Sequence, residues 1–536
     1  MAENQKNEGQ QHPDETTLAA ESQQTKRSHN RTLRPESTTF EKFMLSGWGE
    51  EKNQVKPLES AAFTPARRSA LGKKFPGQRL IIPAGQHKVR NDDCDYAFRP
   101  DSAFAYYTGL GQDYEAGAVL VLEPVEAGTA AGDGSPAQSE THQATLYAHP
   151  RSDQTTSDYY RSAAYGEYWV GARPGLKELA IMTGIPTADI ADFDHDLAAN
   201  VGTGDGHVDV RVIRNVDADI TQEADKVRTA GGFGDAADIS EKDDAFYQET
   251  SLQRMIKDSY EINEMRKAIA ASKDGFTRML AALPSALGKD RGERILEGEF
   301  NANAREEGNA EGYGTIVASG AHAPTLHWMR NTGKIESGDL LLIDAGVEVD
   351  SLYTADITRT FPTNGKFNDL QREMYQVVLD AQQAGFEAAK PGATYSVIHK
   401  ECMRVLAQAL HKWGILPVSV EESLSPQGQQ HRRWHACGVA HHLGLDVHDC
   451  SQARFDDYQG APLRPGMIFT IEPGLYFKDN DMLVPPEFRG VGIRIEDDVL
   501  MTEHGPEWLS IDIPKQIDDV EAWMADSAAR QSSIRK

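Results

Sequence analysis

The chain has 536 residues, too many for one ordinary domain, so at least two domains with a large buried core are expected. Its formal net charge of −27 argues against nucleic acid and anionic membrane as partners, because both repel an acidic surface. The four cysteines (Cys94, Cys402, Cys437, Cys450) make no CxxC pair and are too few for a disulfide framework or a thiolate zinc site, so a reducing, cytoplasmic setting is expected.

The first ten residues are polar and lack the apolar stretch of a signal peptide, and nowhere is there a run of about 18 apolar residues that would span a bilayer. Residues 1–40 are rich in Gln, Glu, Asn, Thr and Ser without apolar periodicity, and read as a disordered tail. From residue 64 the pattern becomes that of a folded α/β unit. Residues 66–71 suit a helix, and 79–83, 118–122 and 144–148 suit short buried strands. Residues 126–143 are small, polar and turn-rich, and read as an exposed loop between two of those strands.

Helical and strand segments alternate to about 240, and a charged stretch at 241–244 precedes a long amphipathic segment from about 247 to 283. The organisation expected is therefore a tail at 1–40, an N-terminal α/β domain at 64–245, an α+β domain at 246–512 and a polar, fraying helical tail at 513–536. No short tandem repeat is visible.

Four segments of the C-terminal domain carry metal-type ligands on or beside strands. In the first, Leu342-Ile-Asp-Ala-Gly346 is followed by Asp356-Ile-Thr-Arg-Thr-Phe-Pro362, which suggests a β-hairpin turning near Asp350. A three-residue loop at 349–351 would set Asp344 directly opposite Asp356 on one face, about 5 Å away. Carboxylates that close repel unless a proton or cation lies between them. The second segment is His441-His442-Leu-Gly-Leu-Asp-Val-His448-Asp449. The third, Ile471-Glu-Pro-Gly-Leu-Tyr476, ends an apolar strand on Glu472. In the fourth, Arg489-Gly-Val-Gly-Ile-Arg-Ile-Glu-Asp-Asp498, Arg494 and Glu496 share a strand face.

Taken singly, each piece has an ordinary reading as a turn, a core imidazole or a surface ion pair. Together they offer four carboxylates and one imidazole, Asp344, Asp356, Glu472, Glu496 and His441, enough ligands for two divalent cations.

These motifs, in this order, resemble the pita-bread metallopeptidases and most closely the Xaa-Pro aminopeptidase (aminopeptidase P) family. The resemblance is strong over about 250–512 and weaker over 64–245, through Arg99-Pro-Asp-Ser-Ala-Phe-Ala-Tyr-Tyr-Thr-Gly109. It implies that Asp344 holds one metal through both oxygens, that Asp356 and Glu496 bridge two metals, and that His441 and Glu472 complete the ligands of the second metal. The metal it implies is Mn²⁺, with Co²⁺, Zn²⁺ and Fe²⁺ also compatible. It further implies Glu472 as general base, His448 on the substrate carbonyl, His327 as a pocket histidine, and Tyr476 and Arg494 as supporting or substrate contacts. The expected reaction is hydrolysis of the N-terminal bond of peptides with proline at the second position, by water activated between two metals. A dimer or tetramer is expected.

Three positions depart from the family pattern. The spacing from Asp344 to Asp356 is one residue longer than typical. Cys437 stands where relatives carry a further histidine, with His435 two residues earlier. Ala105 falls where some relatives place an aromatic that reaches a neighbouring subunit. The competing readings are a prolidase on the same fold with the same ligands, and a catalytically inactive pita-bread binding module.

Overall fold

The structure, a computed structural model, describes residues 37–534 apart from 50–53, 93, 113, 115, 126–140 and 235. The disordered tail expected at 1–40 and the loop expected at 126–143 therefore lie mostly outside the described residues. Residues Thr38–Met44 form a short helix.

In the N-terminal half, apolar runs form a five-stranded sheet of β1 (Gln78–Pro83), β2 (Val119–Pro124), β3 (His142–Ala148), β4 (Thr187–Asp189) and β5 (Asp209–Val212), in the order β4-β3-β2-β1-β5. Strand β1 is buried along almost its whole length because helices cover the sheet. Helix α1 (Ser102–Thr108) is capped by Asp101, whose side chain accepts from Ala103 N, and every residue of α1 is buried. Ala105, the position expected to bear on a neighbouring subunit, is buried among this chain's own Phe104, Tyr106 and Tyr107.

Helix α2 (Ala236–Arg254) carries the chain across position 245. The single long amphipathic segment expected at 247–283 is broken at 255–258. There Asp258 caps a new helix, α3 (Ser259–Ala286), and Glu261 bonds back to the Asp258 amide. A capping box supplies partners for the first amides of α3, so the break is built into the sequence.

After α4 (Gly292–Glu307) come β6 (Ile316–Ser319), β7 (Leu340–Ala345) and β8 (Ile357–Pro362), paired antiparallel in the order β8-β7-β6. Helices α5 (Asp369–Ala388) and α6 (Val397–Lys412) pack on each other, and α5 also meets the strands that follow. Strands β9 (Ile468–Ile471) and β10 (Gly474–Phe477) then pair with β12 (Asp497–Thr502) and β11 (Val491–Arg494) respectively.

The β7–β8 hairpin differs from expectation in register. Val349 N donates to Tyr353 O, so the turn comprises 350–352 and not 349–351, and Leu352 closes it at φ 73°. Asp344 consequently faces Thr358, not Asp356. The shift is two residues, so Asp344 and Asp356 still share a face as diagonal neighbours. The left-handed residue at the end of the turn accommodates the longer spacing.

The C-terminal segment, expected as a polar helical tail, is helical and docked over its first turns. Helix α7 (Ile517–Ile534) docks through buried Val520 and Met524, and Trp523 packs on Phe276 and Phe361. Its approach is secured by fully buried Arg359, which donates to the carbonyls of Ile513 and Pro514 and pairs with Asp497 at 2.7 Å.

At Gly346 a Cβ would lie 1.6 Å from the carbonyl oxygen of Ala355, so only glycine lets the two arms of the hairpin approach. Gly346→Ala is expected to destabilise the protein by at least about 3 kcal/mol, read as the loss of unfolding free energy in urea.

Candidate metal centre

Five side chains predicted to act together line one cavity of about 640 Å³: Asp344, Asp356, His441, Glu472 and Glu496. Each arrives by a different route. Asp344 ends β7, and Asp356 immediately precedes β8. Glu472 follows β9 just before Pro473, with its amide bonded to Val439 O. Glu496 occupies the step between β11 and β12. His441 lies on the loop beside β9, where Thr470 N donates to its carbonyl.

Ligand atoms of Asp356, His441 and Glu496 lie within 4.8 Å of one another. His441 Nε2 is 3.2 Å from Asp356 Oδ2 and 3.5 Å from Glu472 Oε1. Its Nδ1 meets the His442 carbonyl at 3.2 Å, and a carbonyl only accepts, so Nδ1 bears the proton. Nε2 is thereby presented to the carboxylates, the tautomer that a metal needs.

The carboxylates are crowded and dehydrated. Burial raises the pKa of Asp344, and Asp356 adds to the effect against the opposing pull of Arg494. Burial lifts Glu472 to about 7 despite His441 and Arg494. Glu496 is raised furthest, by burial and by Asp356, Glu472 and Asp344. His441 is also buried, which favours its neutral form, but Asp356 and Glu472 outweigh this and raise it to about 9. Such a set is poorly satisfied by protons and one imidazole alone, and its oxygen and nitrogen donors fit hard or borderline divalent cations.

The remaining candidates separate into two groups. His327 and His448 line the cavity. The His448 ring stands edge-on to His441 with centroids 4.4 Å apart, and burial and the neighbouring His441 lower its pKa. Arg494 also lines the cavity, but its guanidinium is engaged by Asp344 Oδ2 at 2.5 Å, Tyr476 Oη at 3.1 Å and Thr358 Oγ1 at 2.9 Å. Tyr476 lies behind Arg494, in a small cluster with Ile316, Ala318 and Leu342.

Cys437 lines the cavity, whereas His435 is buried outside it, stacked on Tyr476 and held by the Gly474 backbone. His442 turns away from the carboxylates, stacks on Tyr395, and has no hydrogen-bond partner at either ring nitrogen among the described residues.

Sequence reasoning missed Tyr313. Its hydroxyl lies 2.7 Å from Asp344 Oδ1 and 2.6 Å from Asp356 Oδ1, so it bridges the two hairpin carboxylates. No motif marks it; the flanking Gly312 and Gly314 are the one local sign of a close backbone approach. Thr358 was also unassigned, and donates to Glu496 Oε2 at 2.6 Å. Its place opposite Asp344 follows from the register found in the hairpin.

The metallopeptidase family M24 model matches residues 263–503, and the model of the aminopeptidase P N-terminal domain matches residues 65–208. Xaa-Pro aminopeptidase 1 of Streptomyces coelicolor is 44% identical over 484 residues, 90% of this chain and 91% of that protein. The chain belongs to metallopeptidase family M24. Another relative, Xaa-Pro aminopeptidase of Haemophilus influenzae, is 32% identical over 87% of this chain and 98% of its own length.

Among solved structures, Pseudomonas aeruginosa aminopeptidase PepP superposes with a TM-score of 0.73 at 29% identity, covering 89% of this chain and 100% of that chain. Zinc-substituted Escherichia coli aminopeptidase P in complex with product gives 0.72 at 31% identity, covering 88% and 99%. The C-terminal domain is thus the pita-bread fold of M24, preceded by the aminopeptidase P N-terminal domain, and divalent metal ions belong to the family's chemistry.

Two expectations follow. Tyr313→Phe removes the donor shared by Asp344 and Asp356 and should weaken Mn²⁺ binding about tenfold, read by calorimetry on metal-stripped protein. The loop that carries His441 and His448 closes on buried Asp449, whose own burial is outweighed by Lys257 and Arg254, so its pKa is lowered to about 2. A depressed carboxylate stabilises the fold above its unfolded pKa of about 4 and loses that contribution as pH falls through its folded value. Acid unfolding between pH 4 and pH 2 should therefore be shallower in Asp449→Asn than in wild type, measured by circular dichroism.

Proposed function

We propose that this chain is an Xaa-Pro aminopeptidase, which hydrolyses the bond between a peptide's first residue and a proline at the second position. The observation that carries this reading is the convergence of buried Asp344, Asp356 and Glu496, part-buried Glu472 and His441 Nε2 in one cavity also lined by Ile316, Leu326, His327, Met329, Val447 and His448. The near-full-length relatives that bear the same name support it against prolidase and against an inactive binding module.

In this reading two divalent ions would be held by these five side chains, Asp344 serving one, His441 and Glu472 the other, and Asp356 and Glu496 both. Two divalent ions bound there would supply Lewis-acid polarisation and lower the pKa of an attacking water. Glu472 takes that water's proton and passes it to the leaving imide nitrogen, a role suited to a carboxylate whose proton affinity burial has raised. His448 donates a hydrogen bond to the substrate carbonyl as negative charge develops on its oxygen. His327, exposed at the mouth of the slot, contacts the substrate. Arg494, with Tyr476 behind it, holds Asp344 in place beneath the substrate. Proline offers no N–H, so the apolar slot wall leaves no acceptor unpaired.

Mn²⁺ is the proposed metal, since carboxylate-rich sites suit it; Co²⁺, Zn²⁺ and Fe²⁺ fit the same donors. The reading includes a homo-oligomer, dimer or tetramer, in the cytoplasm, and none of the four cysteines is disulfide-bonded. It divides the chain at about 245 into a supporting N-terminal domain and the catalytic domain, a division supported by the separate ranges of the two family models.

The test is a peptide panel with Mn²⁺. Xaa-Pro-Yaa peptides should lose their first residue, while Xaa-Ala-Yaa peptides and Xaa-Pro dipeptides should be poor substrates. Preference for the dipeptides would favour prolidase instead. Glu472→Gln should keep the fold and lower kcat about a thousandfold; substantial residual turnover would remove Glu472 from the role of base.

A further inference from the structure

One side chain of the N-terminal domain reaches two of the segments that bring the metal-site residues together. Arg99 stands just before α1. Its Nε donates to Glu348 Oε2 at 2.8 Å, and its Nη2 donates to the carbonyl of Leu445 at 2.6 Å. Glu348 lies on the hairpin between Asp344 and Asp356, and Leu445 lies on the loop between His441 and His448.

Both ends of this bridge are themselves fixed. Glu348 Oε1 accepts from Asn309 Nδ2 at 3.1 Å, and its backbone carbonyl accepts from Asn309 N at 2.9 Å. Beside Leu445, Asp446 Oδ1 accepts from Ser102 Oγ at 2.7 Å and lies 3.2 Å from Arg99 Nη2. The far end of the loop is anchored at Asp449, by Arg254 Nε and Lys257 Nζ at 3.1 Å each.

The hairpin and the loop also touch directly, where Thr354 N donates to Gly444 O at 2.9 Å. Apart from the contact of His441 with Asp356 within the metal site itself, this backbone bond is a single pivot: it sets a distance and leaves the tilt free. A second tie through a planar, forked guanidinium removes that freedom. The tilt matters because His441 and His448 lie on one side of the contact, and Asp344 and Asp356 on the other.

We infer that Arg99 is a positioning residue for the metal centre, setting the separation and tilt of the carboxylate hairpin and the histidine loop. The inference rests on the metallopeptidase reading above. It gives the N-terminal domain a part in metal binding through one side chain. The ion pair itself is a third exposed on the arginine side, so it adds little to global stability. The two roles therefore separate by experiment.

The test uses the full-length protein, stripped of metal and titrated with Mn²⁺ by calorimetry, with thermal melts and peptide kinetics alongside. R99M should melt close to wild type but bind Mn²⁺ about tenfold more weakly. Its kcat at saturating Mn²⁺ should fall at least about tenfold, with KM within about twofold. R99K keeps the charge but meets only one of the two acceptors at a time, and should fall between R99M and wild type. R79M, which breaks the Arg79–Glu123 pair inside the N-terminal sheet, controls for general loosening of that domain; it should lower the melting temperature and leave Mn²⁺ affinity unchanged.

Wild-type affinity and turnover in R99M would overturn the inference, as would equal losses of affinity in R79M. If R99M fails to fold, wild-type affinity and turnover in R99K overturn it. A wild-type protein that binds Mn²⁺ but cleaves no Xaa-Pro peptide overturns the peptidase reading alone, and the affinity comparison still decides the role of Arg99.

Discussion

Four carboxylates meet in a space from which most water is excluded, and this repulsion governs the architecture around them. Burial alone pushes Asp344, Glu472 and Glu496 towards their neutral forms, and each carboxylate makes ionisation of the next harder. Such a cluster persists only where the scaffold resists spreading apart. Here the carboxylates come from positions beside rigid, fully buried strands, and the hairpin that carries two of them has a glycine where its arms touch. Counter-charge is supplied sparingly: Arg494 engages Asp344, and His441 faces Asp356 and Glu472. Four formal negative charges therefore face one fixed guanidinium and one imidazole. That imbalance suits divalent cations.

The same constraint explains the buried polar groups around the centre. Tyr313 and Thr358 donate to carboxylate oxygens, and Tyr476 steadies Arg494 from behind. Each lone pair engaged in this way faces a set direction, which narrows the geometries open to an incoming ion. A second, largely buried network of Arg359, Asp497, Ser510 and Lys515 lies just outside, and ties β8 and the step after Glu496 to the segment that leads into the C-terminal helix. The terminal helix, packed through Trp523 on Phe361, thus braces the strand that follows Asp356.

Much of the site was legible in the sequence because its ligands come in short, ordered motifs. A carboxylate at the end of an apolar strand is costly without a partner, so Asp344 and Glu472 stood out locally, and the order of the motifs linked them. His441 and His442 are adjacent and chemically alike, and only the path of the loop turns one towards the carboxylates and the other against Tyr395. Tyr313 carries no motif, and its role exists only because the hairpin folds back beneath it. The helix break at Asp258 could have been read from its capping box, yet the amphipathic pattern on either side masked it.

What the sequence determined by itself is the set of five side chains that meet in one cavity, the alternation that puts Asp344 and Asp356 on one face, and the concentration of motifs in the C-terminal half. These follow from local rules: strand period, capping and the cost of burying charge. What only the tertiary structure decided is the hairpin register, the docking of α7, the burial of Ala105 within its own chain, and the meeting of Arg99 with Glu348 and Leu445. Those partners are 249 and 346 residues away from Arg99 in the chain. No local preference encodes contacts at that range; they arise when two domains close on each other and their buried polar groups have to find partners.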